Sequence, residues 1–169
     1  MAFELPIRVY WEDTDAGGIV FYANYLKFFE RARTEWLRSL GIHQQALRDS
    51  TGGMFVVSET QLKYHRPARL DDELLVTARL LENGRASLTI AQQAYLLPPT
   101  SSAAGPSLGA KAPSPSEVQS MPAPGGSAVR AATSVGAQLL CEGTIRIGWV
   151  EATTVKPARI PQSVLDVLK

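Results

Sequence analysis

An acidic, glycine-bearing stretch near the start of the chain carries the residue types that could do chemistry. Asp13 and Asp15 precede the pair Gly17-Gly18, and a helical pattern follows from about Tyr22. The start of a helix offers free backbone N–H groups and the positive end of the helix dipole. A carboxylate beside such an oxyanion site can act on a carbonyl group. From these residues alone, a helix-capping or turn aspartate is an equal interpretation of Asp15.

A long amphipathic helix is predicted to follow this loop, from about Tyr22 to Leu40, with Gly41 placed to end it. Nineteen residues at about 1.5 Å each give a rod of about 28 Å, and its broad apolar surface must be buried by the rest of the chain. The apolar stripe consists of Tyr25, Phe29, Ala32, Trp36 and Leu40, widened by Leu26, Phe28 and Leu37. The less buried side, or a subunit contact, is assigned to Glu30, Arg31, Arg33 and Glu35.

Five strands are predicted to surround this helix, and alternating patterns place them at about 3–11, 55–65, 74–80, 86–97 and 138–149. Asn83-Gly84 is the strongest hairpin signal. Short helical turns are expected near 43–49 and 163–168. One strand, one long helix and four antiparallel strands indicate an α+β architecture, in which a curved five-stranded antiparallel sheet wraps a central helix. Three faces are assigned by alternation: Ile7, Val9 and Trp11; Val56, Ser58, Thr60, Leu62 and Tyr64; and Leu139, Cys141, Ile145, Ile147 and Trp149.

The stretch from Pro98 to Gly136 has a different composition from the rest of the chain. It is built of Pro, Ser, Ala and Gly, and it lacks the apolar periodicity that would offset the entropy of ordering. We expect it to be a disordered insertion within a single domain that spans residues 1–169.

Composition and motifs exclude several classes of function. A net charge of +1 gives no general attraction to nucleic acid or to acidic membranes. No stretch approaches the roughly 20 apolar residues of a membrane span, the N-terminus does not read as a signal peptide, and one cysteine fits a cytoplasmic protein. Neither G-x-x-x-x-G-K-[ST] nor G-x-G-x-x-G occurs, so there is no nucleotide-phosphate or dinucleotide signature.

A metal site is not expected either. Asp13-x-Asp15 begins like a calcium-binding loop, but Gly17 and Asn24 then stand at the fifth and twelfth positions, where oxygen ligands including a bidentate Glu are required. The soft ligands are His43, His65 and Cys141, and they have no metal spacing. Cys141 falls on the apolar face of its strand, which favours a buried, inert thiol.

Residues 10–37 read Y-W-E-D-T-D-A-G-G-I-V-F-Y-A-N-Y-L-K-F-F-E-R-A-R-T-E-W-L. This motif closely resembles the signature of the 4-hydroxybenzoyl-CoA thioesterase family, which has the hotdog fold, and within it the branch associated with the bacterial Tol–Pal envelope system. Residues 64–74, Y-H-R-P-A-R-L-D-D-E-L, and 156–161, K-P-A-R-I-P, are similar to that branch too. The long insertion departs from the family's usual short hairpin, and Tyr22 stands where many members carry His.

The resemblance implies an acyl-CoA thioesterase. Asp15 matches the family's catalytic carboxylate, as either nucleophile or general base, and the backbone N–H of Tyr22 matches the donor that polarises the thioester carbonyl. Gly17 and Gly18 would let the backbone approach the substrate closely. Lys63, Arg66 and Arg69 bracket the turn after the second strand; solvated surface charge is the favoured interpretation, and contact of Lys63 and Arg66 with the phosphates of coenzyme A is the functional alternative. No cofactor is implied, because coenzyme A is part of the substrate.

Three further expectations concern partners and alternatives. The acyl group could be delivered on coenzyme A or on acyl-carrier protein. A symmetric homo-oligomer, a dimer or tetramer, is expected because an exposed sheet edge is usually paired. One competing function is a hydratase or dehydratase of the same fold, for which the loop lacks a His. The other is non-enzymatic: a module that binds acyl chains or acyl carriers, or an interaction module at the inner membrane surface.

Overall fold

A computed structural model describes residues 2–98 and 136–168. The strands are β1 (Phe3–Arg8), β2 (Gly53–Tyr64), β3 (Glu73–Asn83), β4 (Ser87–Leu96) and β5 (Gln138–Glu151). The helices are α1 (Asn24–Ser39), α2 (Gln44–Thr51) and α3 (Gln162–Val167), and a 3-10 turn covers Trp11–Asp13. The segment Pro98–Gly136 is the one predicted to be disordered. Except for residues 98 and 136, it lies outside the described residues.

The five strands form one antiparallel sheet in the order β1-β3-β4-β5-β2. The chain turns directly from β3 to β4 after Asn83, where Gly84 N–H donates to the carbonyl of Ser87 at 2.9 Å. Helix α1 packs against the sheet, most closely on β3 and β1. This is the predicted α+β arrangement of one long helix and a five-stranded sheet, and it places the loop before α1 beside the end of β1.

The core lies between α1 and the inner face of the sheet. Tyr25, Phe28, Phe29, Ala32 and Leu37 of the predicted stripe are buried there. They meet inward-facing residues of the sheet, which include Leu74, Val76, Ala78, Ile90 and Ile145. Because each aromatic or leucine side chain buried in this way contributes roughly 1.5–3 kcal/mol, this contact fixes the position of α1 on the sheet.

Strand β1 and helix α1 are shorter than predicted. The strand ends at Arg8, and Trp11, predicted to face the core with Ile7 and Val9, is 79% exposed. The 3-10 turn that begins at Trp11 breaks the alternation of a strand, which is the reason for this error. Helix α1 begins at Asn24 rather than at Tyr22. Its end is as expected, because Gly41 has a φ of 80° and the helix stops just before it.

Two bulges change the predicted faces of the long strands. In β2 the register shifts between Val57 and Glu59, so that Val57 pairs with Ile147 on the inner side and the assignment of Val56 and Ser58 to the face of Thr60 is wrong. In β5 the register shifts where it pairs with Ala94 and Tyr95 of β4. As a result Leu140 is fully buried, and Leu139, predicted for the core, is only half-buried. Simple alternation cannot anticipate an inserted residue.

Two residues of α1 differ from prediction in their exposure to solvent. Arg33 was expected on the less buried side, but only 8% of it is exposed. Leu26, assigned to the apolar stripe, is exposed instead. In the part of the chain that the structure describes, no helix is long and apolar enough to cross a membrane.

Candidate active site

Asp13 anchors the loop that precedes α1. It is 1% exposed, and its Oδ2 accepts a hydrogen bond from Tyr10 N–H at 2.9 Å. The Asn24 side chain lies over the same turn, with Nδ2 at 3.4 Å from the carbonyl oxygen of Glu12 and 3.5 Å from Asp13 Oδ1. The carbonyl of Asp13 accepts from Phe21 N–H at 2.9 Å. These bonds join the end of the first strand to the start of the helix, so the loop between them is held at both ends.

Asp15 lies in a tight turn inside this loop. Its backbone N–H donates to the carbonyl of Ile19 at 2.9 Å, and its carbonyl accepts from Gly18 N–H at 3.0 Å. Its Oδ1 accepts from Gly17 N–H at 2.8 Å, while the residue as a whole is exposed. The carboxylate is therefore oriented by one backbone donor and open to a substrate. The helix-capping interpretation of Asp15 is not supported, because no side chain caps α1; the turn contacts are present.

The two glycines after Asp15 act in different ways. A Cβ on Gly17 would lie 3.1 Å from Asp15 Oδ1, which is tight enough to disturb the carboxylate. Gly18 has a φ of 73°, a conformation that favours glycine. Each therefore suits the shape of the turn around the Asp15 carboxylate.

Tyr22 lies in the turn just before α1, where Ala23 already has helical dihedral angles. Among the described residues, no group accepts a hydrogen bond from Tyr22 N–H. The peptide group that carries this N–H is polarised from its other end, since the carbonyl of Phe21 accepts from Asn24 N–H at 2.8 Å. The Tyr22 side chain is 64% exposed. An unpaired backbone donor of this kind can stabilise an oxyanion.

Two tyrosines that the sequence had assigned only to packing support this turn. Tyr64 Oη donates to the carbonyl of Tyr22 at 3.0 Å, and its ring meets the Tyr22 ring edge-on at 6.3 Å. Tyr25 Oη accepts from Ala68 N–H at 3.0 Å and packs against Tyr64. Burial raises the pKa of Tyr25, so its hydroxyl stays protonated. Hydroxyl contacts of this kind have no periodic signature in the sequence, so these contacts were not predicted.

The structure does not bring the predicted phosphate contacts to the Asp15 loop. Strand alternation turns Lys63 to the outer face of the sheet, while the neighbouring Tyr64 reaches Tyr22 on the helix side. There Lys63 lines a groove of about 600 Å³ with Arg79 and Glu142. Arg66 is exposed beyond the end of β2 and is anchored by its N–H, which donates to the carbonyl of Leu140. Their role in binding coenzyme A stays a prediction.

The remaining reactive groups lie apart from the loop. Cys141 is fully buried, and desolvation raises the pKa of its thiol to about 12, which agrees with the prediction of an inert thiol. His65 pairs with Glu142 at 2.9 Å on the outer side of the sheet, and this hydrogen bond lowers the pKa of the Glu142 carboxyl. Within residues 2–98 and 136–168, no three His, Cys, Asp or Glu side chains are grouped as metal ligands.

Comparison with known proteins identifies the family of this chain. Residues 17–103 match the family model of the thioesterase superfamily, and the chain belongs to this family. It is 47% identical to the acyl-CoA thioesterase YbgC of Haemophilus influenzae over an alignment of 91 residues. This alignment covers 54% of this chain and 67% of that protein. It is 34% identical to the acyl-CoA thioesterase YbgC of Helicobacter pylori over an alignment of 90 residues, and this alignment covers 53% of this chain and 65% of that protein.

Solved structures agree with this fold. A variant of 4-hydroxybenzoyl-CoA thioesterase in complex with 4-hydroxybenzoyl-CoA superposes with a TM-score of 0.72 at 13% identity, covering 99% of both chains. A 1,4-dihydroxy-2-naphthoyl-CoA thioesterase from Synechocystis superposes with a TM-score of 0.71 at 17% identity, covering 99% of this chain and 96% of that one. At such low identity the structural likeness establishes the hotdog fold alone. Asp15 precedes the residues that the family model matches, so its role rests on the geometry of the site.

The anchoring of Asp13 predicts a loss of stability in Asp13→Asn. The new amide would turn an N–H₂ group toward either the N–H of Tyr10 or the amide of Asn24, so one buried donor would lose its acceptor. We expect a cost of about 1–3 kcal/mol in the free energy of unfolding, measured by denaturant or thermal melts.

The matched control is Glu12→Gln, an exposed neighbour whose change should stay within about 0.5 kcal/mol. Equal stability of the two variants would show that Asp13 does not anchor the loop.

Proposed function

We propose that this protein hydrolyses acyl-CoA thioesters to a carboxylic acid and free coenzyme A. The observation that carries the proposal is the accessible Asp15 carboxylate, oriented by Gly17 N–H, in the loop that leads to Tyr22, whose N–H has no acceptor among the described residues. Membership of the thioesterase superfamily and the names of the YbgC relatives support coenzyme A as the carrier. Delivery on acyl-carrier protein stays a prediction.

Asp15 supplies the negative charge for the reaction. As a general base it takes a proton from water, and the resulting hydroxide attacks the thioester carbonyl. As a nucleophile it forms an Asp15–acyl anhydride with loss of the thiolate, and water then cleaves the anhydride. In both cases coenzyme A leaves as a thiolate that then takes up a proton, from the protonated Asp15 in the first case and from the water that cleaves the anhydride in the second. Because a thiolate is a good leaving group, one correctly oriented carboxylate is sufficient to supply the base or the nucleophile for hydrolysis.

The N–H of Tyr22 stabilises the oxyanion that forms on the thioester oxygen. A fixed donor costs no reorganisation when charge develops, and this one is held by the hydrogen bonds of Phe21 and Tyr64 on either side. Because the donor is a backbone group, a tyrosine can stand where many members of the branch carry histidine. Gly17 and Gly18 leave space for the substrate beside the carboxylate. Exposure and charge support Lys63 and Arg66 as contacts for the phosphates.

The proposed function is tested by incubating the protein with a panel of acyl-CoA thioesters and a thiol-detecting reagent. Thiol release at an enzyme-like rate supports hydrolysis. If the thioesters stay intact while acyl chains bind tightly, the protein is a binding module and the proposal fails.

Asp15→Asn keeps the size of the side chain and an oxygen that can accept from Gly17 N–H, but it removes the charge. We expect turnover to fall by ~10²–10⁴-fold if Asp15 is a general base, and further if it is the nucleophile. The change in KM and in melting temperature should be small, because the residue is exposed. Steady-state hydrolysis of one good acyl-CoA, with thermal melts, measures all three. Glu12→Gln is the control, and a folded Asp15→Asn protein with near wild-type turnover removes Asp15 from the mechanism.

Replacing the Tyr22 amide by an ester, through incorporation of the α-hydroxy acid analogue of tyrosine, deletes the N–H and also makes the Phe21 carbonyl a weaker acceptor for Asn24 N–H. Loss of one oxyanion donor should lower kcat by ~10²–10³-fold. The loss of stability should be about 1 kcal/mol or less, since no described residue accepts from this N–H and only the Asn24–Phe21 hydrogen bond is weakened. Tyr22→Phe is the control and should stay within about threefold of wild type, as the side-chain hydroxyl takes no part. The backbone role is excluded if the ester turns over like Tyr22→Phe.

We also propose a homo-oligomer, a dimer or a tetramer, located in the cytoplasm. Strand β2, 12 residues long, is an edge of the sheet in the described structure, and exposed edges are usually paired. Light scattering at micromolar concentration should give at least twice the mass of 18.3 kDa. A fully active monomer would contradict this. Association with the Tol–Pal system stays a prediction from the resemblance.

A further inference from the structure

A groove of about 530 Å³ lies between the exposed side of α1 and strands β2 and β5. Its lining consists of the apolar residues Leu26, Val57 and Ile145, the charged residues Lys27, Glu30, Arg31 and Arg33, and Thr60. Leu26, Glu30 and Arg33 follow Tyr22 at intervals of four, four and three residues. They therefore share one side of α1, which begins two residues after Tyr22. The groove borders this side of α1 from Leu26 to Arg33.

Arg33 is the unusual residue of this groove. It is 8% exposed, and its Nη1 donates to Gln92 Oε1 at 2.7 Å. Gln92 is fully buried and is itself fixed, because its Nε2 donates to the carbonyls of Phe29 at 2.9 Å and Thr77 at 3.3 Å. The amide orients the guanidinium and brings no charge to it.

No carboxylate forms an ion pair with Arg33 within residues 2–98 and 136–168. The ion pairs there are Arg8–Glu73, Arg38–Glu35 and His65–Glu142, and none includes Arg33. Glu30, the carboxylate of the groove, accepts instead from the Thr34 hydroxyl at 2.7 Å. Desolvation lowers the pKa of Arg33, and the charge of Glu30 opposes this shift only in part.

A buried charge is costly unless an opposite charge or a full set of acceptors meets it. Three cations and one carboxylate line the groove, so an anion that enters it finds a positive surround. The guanidinium offers planar, paired N–H donors that match a carboxylate. The walls near Leu26 and Val57 suit the methylene groups that would link that carboxylate to a thioester.

We propose that Arg33 selects acyl groups that end in a second carboxylate, so that the preferred substrates are ω-carboxyacyl-CoA thioesters. The inference rests on the proposed hydrolase function and names its substrate class. Arg33 lies nine residues beyond Asn24, the first residue of α1, which is about 14 Å along the helix axis. Its side chain leans back toward the helix N-terminus, which shortens the distance to Tyr22. Acyl groups of intermediate length therefore join the two points best.

The test compares straight-chain acyl-CoA thioesters with ω-carboxyacyl-CoA thioesters of equal carbon number, over a series of lengths. Wild-type kcat/KM should favour the carboxylated member by ~10–100-fold at the best length, the factor that a charge-assisted hydrogen bond gives. Arg33→Met should bring this ratio to about one, and Arg33→Lys, which keeps a positive charge, should retain part of it. The ratio is taken within each variant, so any general loss of activity caused by the unpaired Gln92 cancels.

The outcomes separate this inference from the proposed function. Hydrolysis of plain acyl-CoA thioesters with no preference for the carboxylated ones overturns the role of Arg33 and leaves the hydrolase function standing. An unchanged ratio in Arg33→Met, together with an altered mass by light scattering, assigns Arg33 to a subunit contact and also overturns it. If no thioester is cleaved, the proposed function fails. Calorimetry with free dicarboxylic acids then tests whether Arg33 binds a carboxylate. Tighter binding to wild type than to Arg33→Met supports the site, and equal or absent binding rejects it.

Discussion

The buried carboxylate of Asp13 is the constraint on which the geometry of the site depends. It accepts the N–H of Tyr10 beyond the end of β1, and the amide of Asn24 at the start of α1 lies against it. A buried carboxylate without donors would be strongly destabilising, so these contacts are favoured whenever the chain is folded. They fix where the loop leaves the sheet and where it enters the helix. Asp15 lies between these two points, so the fixed ends of the loop constrain the turn that contains it.

The sheet and helix hold the other half of the site. Packing of Tyr25 and Phe29 against the sheet fixes α1, and Tyr64 fixes the peptide of Tyr22 from the end of β2. A donor that is already in place stabilises developing charge without the cost of reorganising solvent. The exposed carboxylate and the exposed tyrosine would contribute little to stability by themselves. Their value lies in being displayed by a well-packed core.

Much of this arrangement could be predicted from the sequence because it follows from periodicity and turn chemistry. The helical stripe, the Asn83-Gly84 hairpin and the stop at Gly41 are local signals, and the structure contains all three. The motif around Asp15 was specific enough to indicate the family.

What the sequence did not reveal are features that depend on partners distant in the chain. The bulges beside Val57 and Leu140 insert one residue into an otherwise regular alternation, and no local pattern marks them. Arg33 looked like a surface charge because its partner, Gln92, lies on β4, 59 residues away. Tyr64 looked like an ordinary strand residue for the same reason. Long-range hydrogen bonds decide the fine structure of the site, and their geometry appears only after the fold has formed.

The central claim is that a thioester carbonyl lies between the Asp15 carboxylate and the N–H of Tyr22. The most direct measurement is a crystal structure with a substrate analogue in which methylene replaces the thioester sulfur, so that the ketone cannot be hydrolysed. The account predicts the ketone oxygen within about 3 Å of Tyr22 N, with its carbonyl carbon facing Asp15 directly or through one water molecule. A well-ordered analogue whose carbonyl lies away from both groups would contradict it.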